Sequence, residues 1–124
     1  MTKTRELAAN PEDLTSLFVQ RANAGDAEGM AELYAADAVL AFPVGSATVG
    51  RDAIRVICEQ LLEHAPRPFG LEESLPTIRY DDLALTSTRS KDGKGIRVQV
   101  TQRQPDGSWL RIIDRPEMPA SPGS

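Results

Sequence analysis

The apolar positions in the first half of the chain repeat with the period of helices. Leu14, Leu17 and Phe18, followed by Ala22, recur at three and four residues, which predicts an amphipathic helix buried along that stripe. Asn10-Pro11-Glu12-Asp13 marks its start, with an amide to cap, a proline suited to the first turn and two acids at the positive dipole end. Gly25 ends this helix, and Asp26 caps a shorter second one carrying Met30, Leu33 and Tyr34. Ala38 to Phe42 is a short apolar run closed by Pro43, and reads as a strand. Gly45 and Gly50 bracket a loop with a short strand at Thr48-Val49. A third helix opens at Arg51 or Asp52, carries Ile54, Ile57, Cys58, Leu61 and Leu62, and stops near His64-Ala65 ahead of Pro66 and Pro68.

From Leu71 onward the period shortens to that of strands. Thr77 to Tyr80, Leu83 to Arg89, Ile96 to Arg103 and Trp109 to Asp114 are the expected strands. They are joined by an Asp81-Asp82 turn, a Lys91–Gly95 loop and a Pro105–Ser108 turn. Three helices followed by an antiparallel meander define an α+β class, with helices on one face of a curved sheet. A cavity at the wide end of such a sheet suits a small apolar ligand. The expected organisation is a flexible N-terminus over 1–10, one domain over 11–116 and a disordered tail over 117–124, which has little to bury.

Composition narrows the function. At 124 residues, 40% hydrophobic and 26% charged, the chain has the make-up of one globular domain. A net charge of -4, with arginines interleaved among acids, lacks the positive field that nucleic acid requires. No apolar run approaches the roughly 18 residues that span a bilayer, and the first residues lack the apolar core of a signal peptide. One cysteine and one histidine make neither an internal disulfide nor a zinc cage. The expectation is a cytoplasmic protein without metal or cofactor.

Alternation places the candidate chemistry. Asp114 ends the last strand with Leu110 and Ile112 on its side and Trp109, Arg111 and Ile113 on the other. If the last turn pairs Gln104 with Trp109, Gln99 stands opposite Asp114, setting an amide beside a carboxylate able to accept a proton. Gln99 shares its face with Arg97, Thr101 and Arg103, whereas Ile96, Val98 and Val100 share the other. Alternation alone turns the polar side to solvent; a pocket requires the reverse. Phe18, Tyr34, Phe42, Ile57, Cys58 and Leu61 form the helix side, as a ligand wall or as plain core. Cys58 lies mid-helix, where nothing activates a thiol, and His64 ends its helix facing solvent. The Glu72-Glu73 and Asp81-Asp82 pairs read as solvated loop acids.

The segment AGDAEGMAELYAADAVLAFPVGSATVGRDAI, with its Gly25-Asp26 corner, Leu33-Tyr34 and Gly50-Arg51, resembles the N-terminal half of NTF2-like (SnoaL-like) proteins. RQPDGSWLRIIDRP resembles the final hairpin of the branch related to polyketide cyclases and ketosteroid isomerase. The resemblance runs from about Pro11 to Pro116 and implies a cone-shaped fold enclosing an apolar pocket. It also implies that the polar side of the Ile96–Arg103 strand looks inward. The isomerase's tyrosine, base and second aspartate fall on Phe18, Phe42 and Gln99, so that mechanism is lost. Of the epoxide-hydrolase Asp–Arg–Asp set only Asp114 carries over, the other positions falling near Thr88 and Ser90.

Two functions follow as expectations. One is a cofactor-independent acid/base enzyme or binding protein for an apolar ring-bearing molecule. Asp114 and Gln99 would be catalytic, and Phe18, Tyr34, Phe42, Ile57, Cys58, Leu61, Arg97, Thr101 and Ile112 would bind the ligand. The other is a non-catalytic homodimeric module that pairs through Val98, Val100 and Ile113 on the outer sheet face.

Overall fold

Leu14, Leu17 and Ala22 are buried along one side of α1 (Asp13–Asn23), the stripe that its period predicts. The structure, a computed structural model, describes residues 5–91, 93 and 95–116; the tail over 117–124 lies outside them. Asn10 does not cap α1. Instead the Asp13 carboxylate accepts the Asn10 backbone N–H at 3.0 Å, and one turn precedes the helix. At the other end Gly25, at φ +71°, donates to the Ala22 carbonyl, and Asp26 donates to that of Arg21. This pair of bonds closes the helix in a left-handed turn that glycine adopts without a Cβ penalty. The Asp26 carboxylate then accepts the Gly29 N–H and caps α2 (Ala27–Ala31).

α2 is shorter than its pattern predicts. Tyr34 opens β1 (Tyr34–Leu40) and is not helical, because the backbone there pairs with the last strand. β2 (Thr48–Val49) returns along β1, and α3 (Arg51–His64) follows with Ile54 and Cys58 buried. β3 (Glu73–Ser74), β4 (Ile78–Tyr80), β5 (Leu83–Arg89), β6 (Ile96–Arg103) and β7 (Trp109–Arg115) complete the chain. β3 falls where the sequence shows only loop character.

The sheet order is β2-β1-β7-β6-β5-β3, with β4 also on β5. Every pairing is antiparallel except β1 with β7, which run parallel. Leu14, Met30, Leu33, Leu40, Ile54 and Trp109 form the core between helices and sheet. Residues 5–10, expected to be loose, are anchored. Arg5 forks onto Asp26 at 2.8 and 3.0 Å, and the Ala8 carbonyl accepts the Trp109 N–H. Arg21, buried beneath them, donates to the carbonyls of Gly29 and Glu6. Among the described residues no helix is long and apolar enough to cross a membrane.

Candidate functional site

The inner face of the sheet is polar. On β5, Ala84, Thr86 and Thr88 are buried and Leu85 is exposed; on β6, Gln99 and Thr101 are buried and Ile96 is exposed. Alternation alone would turn this polar side to water. The helices cover it instead, and the apolar side of β6 faces out.

The last hairpin reaches this arrangement through two departures from ideal pairing. Arg103, not Gln104, stands opposite Trp109, one step away from the predicted register. Ile112 is then an extra residue between the Arg111–Thr101 and Ile113–Val100 pairs, forming a β-bulge. The two offsets cancel, so Gln99 still pairs with Asp114. The bulge also reverses the faces before it. Trp109 and Arg111, predicted opposite Asp114, are buried on its side at 4% exposure each, and Ile112 lies off the site.

A cavity of about 700 Å3 lies between this face, α1 and α3. Phe18, Phe42, Ile57, Cys58 and Leu61 line its apolar wall, and Tyr34, Arg97, Gln99, Arg111 and Asp114 its polar side. His64, expected to face solvent, is exposed but also contributes to the lining. Two predicted ligand residues are elsewhere. Thr101 is fully buried one pair deeper on β6, donating to the Ala84 carbonyl, and the bulge removes Ile112.

Three buried groups meet at the floor. The Tyr34 hydroxyl donates to Asp114 Oδ2 at 2.5 Å. Arg111 Nη1 reaches the Tyr34 oxygen at 3.3 Å and Asp114 Oδ2 at 3.6 Å. The guanidinium also stacks on Phe18 and Tyr34, 5.1 and 5.6 Å from the ring centroids. Burial would pull Arg111 down, but Tyr34 and Asp114 outweigh it and hold the group above its ordinary value, so it stays a cation. Burial, reinforced by the charge of Asp114, pushes the Tyr34 hydroxyl well up, so it stays a neutral donor. Burial likewise pushes the Cys58 thiol up to about 11, far from a thiolate at neutral pH. Asp114 Oδ1 and Arg111 Nε are buried with no hydrogen-bond partner among the described residues. Beside them Thr86 donates to Gln99 Oε1 at 2.9 Å, which leaves the Gln99 Nε2 donors for other partners.

A second polar group stands at the other end of the wall. The Arg97 guanidinium holds Glu72 through two bonds, of 2.7 and 3.0 Å, and Thr88 adds a third at 3.2 Å. Those bonds from Arg97 hold the Glu72 carboxyl below its ordinary value. Arg111 and Glu72 are the functional candidates that simple alternation and loop chemistry miss. For Arg111 a signal existed: an inward Asp114 beside an inward Trp109 requires an odd residue between them.

This architecture, with helices laid over the polar face of a mostly antiparallel sheet, is the NTF2-like fold. The chain belongs to the SnoaL-like domain family, whose model matches residues 16–111. Solved structures share the fold. One is a proposed calcium/calmodulin-dependent protein kinase type II association domain from Thiobacillus denitrificans, at 19% identity and TM-score 0.74, covering 94% of this chain and 100% of that one. An NTF2-like protein of unknown function from Pseudomonas putida is 19% identical, with TM-score 0.68 over 90% and 86% of the two chains. A Catenulispora acidiphila protein solved in complex with S-DNPA is 18% identical, with TM-score 0.63 over 83% and 86%. No curated protein matches this sequence.

Proposed function

We propose that the cavity is the ligand pocket of a cone-shaped fold and takes a small, mostly apolar, ring-bearing molecule for cofactor-independent acid/base chemistry. The observation that carries this reading is the pair of buried atoms at the cavity floor, Asp114 Oδ1 and Arg111 Nε, that lack a hydrogen-bond partner among the described residues. Buried polar atoms are rarely left without a partner, and a group missing one at a cavity floor suits a bound molecule. Asp114 Oδ1 would take a proton from the substrate or from water, and Gln99 Nε2 would donate to the oxygen where charge develops. Tyr34 and Arg111 would hold the carboxylate through its other oxygen, acting as positioning groups. The ligand complex of the Catenulispora acidiphila protein lends the same fold a precedent for holding a small molecule.

The test is a thermal-shift screen of polyketide-like and terpene-like ring compounds, followed by turnover assays on those that bind. On a compound that is turned over, Asp114→Asn should stay folded in the absence of denaturant, at lower stability, and abolish turnover. Undiminished turnover would remove Asp114 from the mechanism.

A second reading, a non-catalytic homodimeric module, draws on the outer sheet face, where Leu85, Ile96 and Ile113 are 36, 37 and 48% exposed. Apolar groups grouped this way suit a self-complementary contact between two copies. A monomer in sedimentation at micromolar concentration would count against it. A reduced, cytoplasmic setting is proposed with either reading.

A further inference from the structure

Glu72 is tied by three hydrogen bonds whose donors all stand on the sheet. Arg97 Nε and Nη2 come from β6, and Thr88 Oγ1 comes from the facing position of β5, since Thr88 and Arg97 are cross-strand partners. The carboxylate they hold comes from the residue just before β3, at the end of the connection from α3. Arg97 is itself fixed, because Nη1 donates to the Pro116 carbonyl at 2.6 Å. A planar fork with an adjacent hydroxyl, locked on two paired strands, is a preorganised carboxylate cradle. Lys91 adds positive charge to it. Its side chain stretches over Gly70, where a Cβ would fall 2.4 Å from the ammonium nitrogen, and its charge favours the ionised form of Glu72.

Arg97, Thr88 and Glu72 also line the cavity whose floor holds Asp114 and Gln99. Arg97 lies two residues along β6 from Gln99, which faces Asp114. That makes Arg97 and Asp114 diagonal neighbours, roughly 7–8 Å apart at the backbone. On the helix side Phe18, Ile57 and Leu61 line the same cavity.

We infer that the Arg97–Thr88 cradle is the anion subsite of this cavity and that Glu72 is its internal occupant. The ligand class is an apolar ring-bearing carboxylic acid. Its carboxylate replaces that of Glu72 on Arg97 and Thr88, and its ring body extends toward Asp114. This rests on the ligand-pocket reading above and adds to it the charge of the ligand and the end at which that charge sits. Glu72 thereby sets an affinity threshold: a guest must bring a carboxylate to take over its bonds, and a neutral molecule of the same shape gains nothing at that end.

The experiment is a fluorescence titration of the full chain with 2-naphthoic acid and with its methyl ester. It is repeated with Glu72→Ala, Arg97→Gln and Arg97→Lys, each checked for a cooperative melt well above the titration temperature. The unaltered protein should bind the acid more tightly than the ester. Glu72→Ala should tighten the acid by about tenfold, the scale of one charge-assisted hydrogen bond, and leave the ester unchanged. Arg97→Gln should erase the acid's advantage, and Arg97→Lys, which keeps the charge but not the fork, should retain part of it. If Arg97→Gln melts early, Arg97→Lys and Glu72→Ala carry the comparison. Equal binding of acid and ester throughout, or weaker acid binding in Glu72→Ala, would overturn the inference while leaving the pocket reading intact. Failure of both probes to bind any of the proteins would overturn both.

Discussion

Arg111→Met tests whether the floor of the cavity is one electrostatic unit. The substitution keeps length and a polarizable contact with Phe18 and Tyr34 but removes the positive charge. Arg111 and Asp114 are 3.6 Å apart, and both side chains are 5% exposed. At an effective dielectric of about 20 that separation corresponds to about 4–5 kcal/mol. Breaking a buried pair by removing one partner costs about 3–5 kcal/mol in other proteins, the same scale. Against a typical domain stability of about 5–15 kcal/mol, the variant should lose roughly a fifth or more of its stability to urea. Asp114→Asn should destabilise for the mirror-image reason, by stranding a guanidinium whose Nε already lacks a partner among the described residues. The double variant strands neither charge. Its loss should therefore fall short of the sum of the single losses by about 1–3 kcal/mol. Urea unfolding at pH 7, followed through the buried single tryptophan Trp109, measures all four proteins. A loss below about 1 kcal/mol for Arg111→Met, or single losses that add to within about 0.5 kcal/mol, would refute the coupling.

Two further outcomes are expected. Deleting Ile112 removes the extra residue and leaves Arg111 and Asp114 two positions apart, still on one face and opposite Thr101 and Gln99, so the variant should fold with a cooperative melt; loss of the cooperative melt would contradict the reading of Ile112 as the bulge residue. Glu72 titrates below its ordinary value in the folded chain, so its contribution is complete at neutral pH, above its unfolded value, and is lost as pH falls through its folded one. The stability gap between the unaltered protein and Glu72→Gln should accordingly shrink as the pH is lowered from 7 toward 3, and a gap that is flat or widens would reverse the sign of that linkage.

Much of the fold is legible in the sequence because local chemistry and tertiary context agree there. α3 begins after Gly50 and ends at His64 as its apolar spacing and the following prolines dictate. β5 and β6 occupy the ranges that alternation assigns them. The Gly25-Asp26 corner forms because one residue tolerates positive φ and the next carries an acceptor for the helix it opens. Tyr34 departs from the pattern because its backbone is claimed by a strand that lies 77 residues further along, opposite Arg111, a partner that local spacing cannot reveal. The site splits in the same way. Gln99, Asp114 and the aromatic wall stand together at one cavity, as their order in the hairpin and helices suggests. Arg111 was hidden by a bulge that neither glycine nor proline announces. Glu72 was hidden because an acidic loop residue looks solvated until the strands supplying its donors are in place.

The parallel seam between β1 and β7 makes β7 the keystone of the sheet. Among the described residues, β2-β1 on one side and β6-β5-β3 on the other meet only through it. A break within Trp109–Arg115 would therefore unseat both wings at once, and with them α3, which rests on β1, and the pocket floor that Arg111 and Asp114 form.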